Sequence, residues 1–229
     1  MKKDNNFRCL AIITARGGSK RIPRKNLKFF CGKPIIVYSI QSAIESNLFD
    51  EVMVSTDDKE IMSVSINYGA KVPFLRSKMT SDDHTGLSEV VEEVKKEYSK
   101  IGKKFDFVCC ILPTAPLISS KNLKKGFKKL KESNLDVTFP VVRFSSPIQR
   151  SYRMIEGRLE MFYPEFYDSR SQDLEISYHD SGQFYWMKYD KTLKDGIKSG
   201  FEISELESQD IDSDTDWKLA ELKFNLLRD

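Results

Sequence analysis

Short apolar runs, each followed by a single helical pattern, constrain this chain more than any other feature. "RCLAIIT" (8–14) is brief, apolar and closed by a Gly-rich loop, the pattern of a strand buried on both faces. "EVMVST" (51–56) repeats it, and further strands are expected at 71–75, 105–112 and 136–142. Pro34, at a first helical turn, opens "IIVYSIQSAIESN", where Ile36, Ile40 and Ile44 recur every four residues. Asp57 or Asp58 can cap a second helix that ends at Gly69. Two more helices are expected, at 86–99 and, capped by Ser119 or Ser120, at 120–133. Strands joined by single helices make βαβ units, so the expected class is α/β with a mostly parallel sheet. Such sheets bind ligands beyond the carboxyl ends of their strands.

The stretch "TARGGSKRIPRKN" (14–26) lies at such an end. It packs Arg16, Lys20, Arg21, Arg24 and Lys25 around Gly17, Gly18 and Pro23. The glycine pair lets backbone approach a ligand closely, and consecutive N–H groups there can form an anion nest. Arginine forks and lysine point charges then neutralise phosphates, and so many cations suit a triphosphate better than a single phosphate. The GxxxxGK[ST] spacing is missing and no helix follows at once, so this is not a Walker A loop. An exposed basic loop, or a nucleic-acid contact, is the alternative. The formal net charge of the chain is only +3, so the basic loop is a local device.

Other stretches divide between chemistry and plain structure. "KNLKKGFKKLKES" (121–133) carries an apolar stripe of Leu123, Phe127 and Leu130, with lysines on the other face. It reads as a solvated helix, because nucleic-acid binding would want arginines and exposed aromatics. "DIDSDTDWKLAE" (210–221) imitates a calcium-hand loop, but Thr215 stands where the turn glycine belongs. A strand end there would point Asp210 and Asp212 the same way, able to hold Mg²⁺ against phosphate oxygens, with Asp214 left to cap the last helix. A merely capping acidic turn is the other reading. His179 sits among polar groups in "YHDSGQFYW", a site-like composition, whereas His84 reads as a loop residue.

From about Ser145 the chain becomes aromatic-rich and irregular, with a hairpin expected around Glu156-Gly157 in "MIEGRLEMF". Cys9, Cys31, Cys109 and Cys110 show no metal-ligand spacing and read as buried free thiols of a cytosolic protein. No apolar run reaches the ~18 residues of a membrane span, and the basic start lacks the cleavage site of a signal peptide.

The opening loop resembles the signature A-R-G-G-S-K-x-[IL]-x-x-K-N of the acylneuraminate cytidylyltransferase family, matched from Ala15 through Asn26. The similarity continues through "GKPIIVYSI", "VSTDD", "PTAPL" and "DID". "SPIQR" and "RSQDLEISYHDSGQFYW" resemble the pseudaminic acid branch rather than the N-acetylneuraminate one. The resemblance implies a three-layer, Rossmann-like nucleotide-diphospho-sugar transferase fold in one domain spanning 1–229. It also implies a homodimer joined through an inserted arm at 143–167 and Mg²⁺ dependence, with Mn²⁺ as the alternative ion; the cytoplasmic setting is the expectation from the cysteines.

The implied reaction joins CTP to a nine-carbon α-keto acid sugar, pseudaminic acid first and N-acetylneuraminate or legionaminic acid as alternatives. A non-catalytic nucleotide-binding regulatory domain is the reading outside enzymes. Carried over by position, Ala15, Arg16, Gly17, Gly18, Lys20, Lys25 and Asn26 would hold the nucleotide, with Arg76, Asp83 and Thr85 lining it. Lys25, Arg16 and Asp212 would serve the reaction, and Asp210 with Asp212 would hold the metal. Gln149, Arg150, Arg170, Gln172, His179 and Gln183 would meet the sugar, and no residue is assigned as general base. Leu112 stands where many members place glutamine. With Phe184, Tyr185 and Trp186, it is expected to make an apolar wall for the sugar's far end.

Overall fold

Every residue of the first strand, β1 (Cys9–Thr14), is buried, which requires cover on both faces of its sheet. Alternation along the strand divides the cover. Cys9, Ala11 and Ile13 pack with Val37 and Ile40 of α1 (Ile36–Glu45) and with Leu123 and Phe127 of α4 (Ser120–Glu132). Leu10 and Ile12 turn the other way, onto Val91, Val94 and Tyr98 of α3 (Leu87–Lys100). The result is a three-layer α/β/α arrangement, in a computed structural model that describes residues 7–82 and 85–228. Asp83 and His84 lie outside the described residues.

The central sheet adds β4 (Glu51–Ser55), β5 (Phe107–Ile111), β6 (Val137–Arg143), β10 (Phe184–Lys188) and β11 (Lys198–Glu202), in the order β11-β6-β10-β5-β1-β4. β1 pairs in parallel with β4 and β5, and β11 in parallel with β6. β10 runs antiparallel between β5 and β6, and the short β9 (Tyr178–Asp180) is antiparallel to β6. Register matters for function. Thr14 stands opposite Ser55, and Ile13 opposite Ile111, so three parallel strands end almost level. Their loops therefore emerge side by side.

The remaining elements follow local rules with some departures. Asp58 caps α2 (Lys59–Asn67) by accepting from Glu60 N and Ile61 N, and Ser119 caps α4 by accepting from Asn122 N. The segment 71–75 is not a strand; only a single bridge, Met53 to Lys71, forms there. Pro34 does not open α1. It belongs to a two-residue strand, β3 (Lys33–Pro34), paired with β2 (Phe29–Phe30), and the turn between them is fastened by the Tyr38 hydroxyl donating to the Phe30 and Cys31 carbonyls. The hairpin of β7 (Tyr152–Ile155) and β8 (Arg158–Met161) turns at Glu156 and Gly157, both at positive φ, as a two-residue loop requires. It stands outside the seven-stranded sheet.

A third apolar cluster decides where the acidic tail segment goes. Trp217, Ala220 and Phe224 of α5 (Asp214–Leu226) pack with Phe30, Ile35 and Tyr38, and the same cluster takes in Ile22 and Ile211. One core thus pins the basic loop and the acidic segment together across nearly the whole chain length. Cys9, Cys109 and Cys110 are buried free thiols, while Cys31 is exposed. Among the described residues, no helix is long and apolar enough to cross a membrane.

Candidate active site

Beyond the end of β1 lies a cleft of about 360 Å³ lined by Thr14, Arg16, Ser19, Lys20, Arg21, Lys25, Asn26, Pro113 and Thr114. Four of the five cations of the basic loop converge on it. The fifth, Arg24, does not. Its guanidinium is bound to the carboxylates of Asp58 and Glu60, which holds Asp58 below the usual carboxylate range. Arg24 therefore clamps the loop to the start of α2, and the left-handed backbone at Arg24 (φ 54°) belongs to that turn.

The loop is rigidly seated. Ala15 N donates to the Ser55 carbonyl, Gly17 N to Asp57 Oδ1, and buried Asn26 donates through Nδ2 to the Arg16 carbonyl at 2.9 Å. Gly17 is required for packing: a Cβ there would lie 2.8 Å from Asp58 Oδ2, and Asp58 is locked by Arg24 and the α2 cap. A Cβ built on Gly18 would meet nothing within 4 Å, which leaves that face of the backbone open to a ligand. Gly17→Ala is therefore expected to lower Tm by about 2–4 °C, the shift for roughly 1 kcal/mol in a chain of this size. CTP affinity should fall about tenfold or more. Gly18→Ala should leave Tm unchanged; paired calorimetric scans and titrations check both.

Arg76, Thr85 and Arg16 are brought to the same flank. Arg76 is buried and donates to Ser55 Oγ (3.0 Å) and to the Ser55 carbonyl (2.7 Å), and burial lowers its pKa. Arg16 Nη1 donates to the Asp82 carbonyl at 2.8 Å, and Thr85 is held by Asp82 Oδ1 through both N and Oγ1. The expected contact Asp83 lies outside the described residues.

On the opposite side stands the acidic segment. Asp212 forms an ion pair with Arg21 and lies 3.6 Å from Lys25 Nζ, which also donates to the Ile211 carbonyl. Buried Ile211 separates exposed Asp210 from half-exposed Asp212 in an irregular stretch, not in a strand end. The cap of α5 is Ser213, in a box with Asp216, and not Asp214. Asp210 and Asp212 are thereby excused from capping. A calcium-hand is excluded, because α5 begins at Asp214, inside the loop such a hand would need. Two carboxylates plus phosphate oxygens form a donor set of the hard, oxygen-only kind that suits Mg²⁺. Among the described residues, no cluster of three or more metal-ligating side chains exists.

The residues expected at the sugar lie apart from this cleft. Gln149 Nε2 donates to the Glu175 carbonyl (3.0 Å), and Arg150 reaches Ser171 Oγ (3.4 Å). Gln172 lines a second cleft of about 220 Å³ together with Arg143, Ser145 and Glu175. Arg170 is turned to Asp173 (2.7 Å), and exposed His179 sets Nδ1 against the Asp180 carbonyl. Gln183 is buried, with Nε2 on the Glu207 carbonyl and Oε1 unpartnered among the described residues. The expected aromatic wall does not form. Phe184 and Trp186 are fully buried core residues, and only half-buried Tyr185 remains, its hydroxyl on Asp180 Oδ2. Period-2 alternation on β10 sends the first and third rings inward.

Sequence reasoning also missed Thr14, Ser19, Pro113 and Thr114 as cleft residues. Their signal was positional: Thr14 ends β1, and the others stand in the loops that follow β1 and β5, whose ends are level.

A mostly parallel sheet with a polycationic Gly-Gly loop beyond its first strand, facing carboxylates, defines a nucleotidyltransferase. A family model described as cytidylyltransferase matches residues 10–156, and the chain belongs to that family. It is 41% identical over 224 residues to a pseudaminic acid cytidylyltransferase of Campylobacter jejuni, covering 95% of this chain and 96% of that protein. It is 34% identical over 236 residues to a CMP-N,N'-diacetyllegionaminic acid synthase of Legionella pneumophila, covering 96% and 97%. The fold is shared with a CMP:2-keto-3-deoxy-manno-octonic acid synthetase solved with CTP, at TM-score 0.69 and 17% identity over 96% of this chain and 99% of that one.

Proposed function

We propose that this enzyme transfers CMP from CTP to the anomeric hydroxyl of a nonulosonic acid, pseudaminic acid in particular, and releases pyrophosphate. The observation that carries the reading is the convergence of Arg16, Lys20, Arg21 and Lys25 on one cleft, with Asp212 set against two of them, Arg21 and Lys25. The anomeric oxygen attacks the α-phosphorus as its proton passes to solvent, the bond to the bridging oxygen breaks, and pyrophosphate leaves with that electron pair. Little covalent work falls to the protein, so positioning and charge neutralisation dominate. Lys25, fixed by the Ile211 carbonyl, balances charge at the α-phosphorus, while Arg16 and Lys20 receive the leaving pyrophosphate.

Asp210 and Asp212 would hold Mg²⁺, or Mn²⁺ in its place, which supplies Lewis-acid charge at the α-phosphate. The support is their release from helix capping and the placement of Asp212 against Arg21 and Lys25. Gln149, Arg150, Gln172 and Gln183 are proposed to meet the sugar's carboxylate and acylamino groups. A pyrophosphate-release assay with CTP and a panel of nonulosonic acids tests the reading. Turnover with CTP and no other nucleoside triphosphate supports it, and pyrophosphate release that is independent of any sugar overturns it.

The enzyme is further proposed to act in the cytoplasm, as its free thiols suggest, and as a homodimer. The hairpin and its flank expose Met154 (72%), Leu159 (61%), Phe162 (54%) and Tyr152 (47%), an apolar surface of the kind that marks an interface. A twofold dimer through residues 143–167 is expected in analytical ultracentrifugation at micromolar concentration. Leu159→Lys with Met154→Lys should give a monomer; a wild-type monomer would overturn the assignment.

A further inference from the structure

Thr14, the last residue of β1, is only 8% exposed, yet it lines the phosphate cleft, and its Oγ1 is buried with no hydrogen-bond partner among the described residues. A buried hydroxyl without a partner costs about 1–3 kcal/mol, so its place at a ligand cleft calls for an explanation. A turn of about 120° around a single bond, Cα–Cβ, can carry the hydroxyl to the position the methyl now holds, the methyl moving to that of the β-hydrogen. The wall it belongs to is uncharged: Thr14 and the Pro113-Thr114 turn carry no charge, while every cation of the cleft comes from the loop that follows.

We infer that Thr14 is a nucleoside-binding residue whose hydroxyl is satisfied by a ribose hydroxyl of the bound nucleotide. Phosphate oxygens are served by the charged wall. A neutral group that both donates and accepts matches another hydroxyl on the neutral wall. The inference rests on the proposed use of CTP and adds a residue that binds the ribose end of it.

Three variants test it by calorimetric titration with CTP, 2'-deoxy-CTP and 3'-deoxy-CTP, alongside thermal melts of the free protein. Thr14→Val removes the hydroxyl and keeps the shape. It should raise the Tm of the free protein, because an unpaired buried hydroxyl is gone, and weaken CTP binding roughly three- to tenfold. One of the two deoxynucleotides should bind wild type more weakly than CTP and bind Thr14→Val no more weakly than wild type. Thr14→Ser keeps the hydroxyl and should bind CTP as wild type does. Thr138→Val, which removes an equally orphaned hydroxyl near the start of β6 and outside the cleft lining, should raise Tm and leave CTP binding alone. Unchanged CTP affinity in Thr14→Val would overturn the inference. So would a lower Tm, which would mean a structural hydrogen bond, or an equal loss for CTP and both deoxynucleotides, which would mean a phosphate contact. Failure of wild type to bind CTP at all would instead remove the proposed function itself.

Discussion

Asp212→Asn is expected to lower kcat at least ~1,000-fold while the protein stays folded, the loss of about 4 kcal/mol of transition-state stabilisation. Two features support a functional effect without unfolding. The α5 cap is made by Ser213 and Asp216, so Asp212 has no helix to hold. Its carboxylate instead faces Arg21 and Lys25 at the cleft. Asp210→Asn should behave alike, and activity lost to EDTA should return with Mg²⁺ and, to a smaller degree, with Mn²⁺. The contrasting variant is Asp216→Ala, which removes the capping box. It should cost about 1 kcal/mol of stability and leave kcat within a few-fold of wild type. Circular dichroism melts and pyrophosphate-release rates separate the two outcomes. Wild-type turnover in both asparagine variants would reduce the acidic segment to a passive turn.

The second large effect concerns the sugar. Catalytic efficiency for pseudaminic acid is expected to exceed that for N-acetylneuraminate by at least ~100-fold, a few kcal/mol of differential transition-state binding. The support is the 41% identity to a pseudaminic acid cytidylyltransferase, against 34% for the legionaminic acid synthase. Discrimination of that size is expected where the wrong sugar leaves a buried donor or acceptor unpaired. Matched kcat/KM measurements decide it. Comparable values for the two sugars would refute the branch assignment and leave cytidylyl transfer standing.

These expectations rest on different levels of the molecule. Strand and helix existence was legible because the patterns are local: the apolar run 8–14, the Ile36–Ile40 repeat, the caps at Asp58 and Ser119 all act within a few residues. The misreadings were also local. Pro34 fits a first helical turn by propensity, yet the Tyr38 hydroxyl and the β2–β3 pairing hold it one step earlier in the chain. The 71–75 run is apolar enough for a strand but finds only one bridge at the edge. Phe184 and Trp186 look like a wall in a string of letters, and the two-residue alternation of β10 puts them in the core.

By itself, the sequence determined the class of fold, the mostly parallel sheet and the chemical character of the loop after β1. Each of these follows from residue type and spacing over short stretches. Only the tertiary structure decided which cations are available. Arg24 is consumed by Asp58 and Glu60, whereas Arg21 and Lys25 meet Asp212, 191 and 187 positions away along the chain. It alone could also show Thr14 as a cleft residue with an orphaned hydroxyl. The physical reason is the shared apolar cluster of Ile22, Ile211 and Trp217: burial energy brings the two ends of the chain together, and no local pattern encodes which distant charges will then face each other.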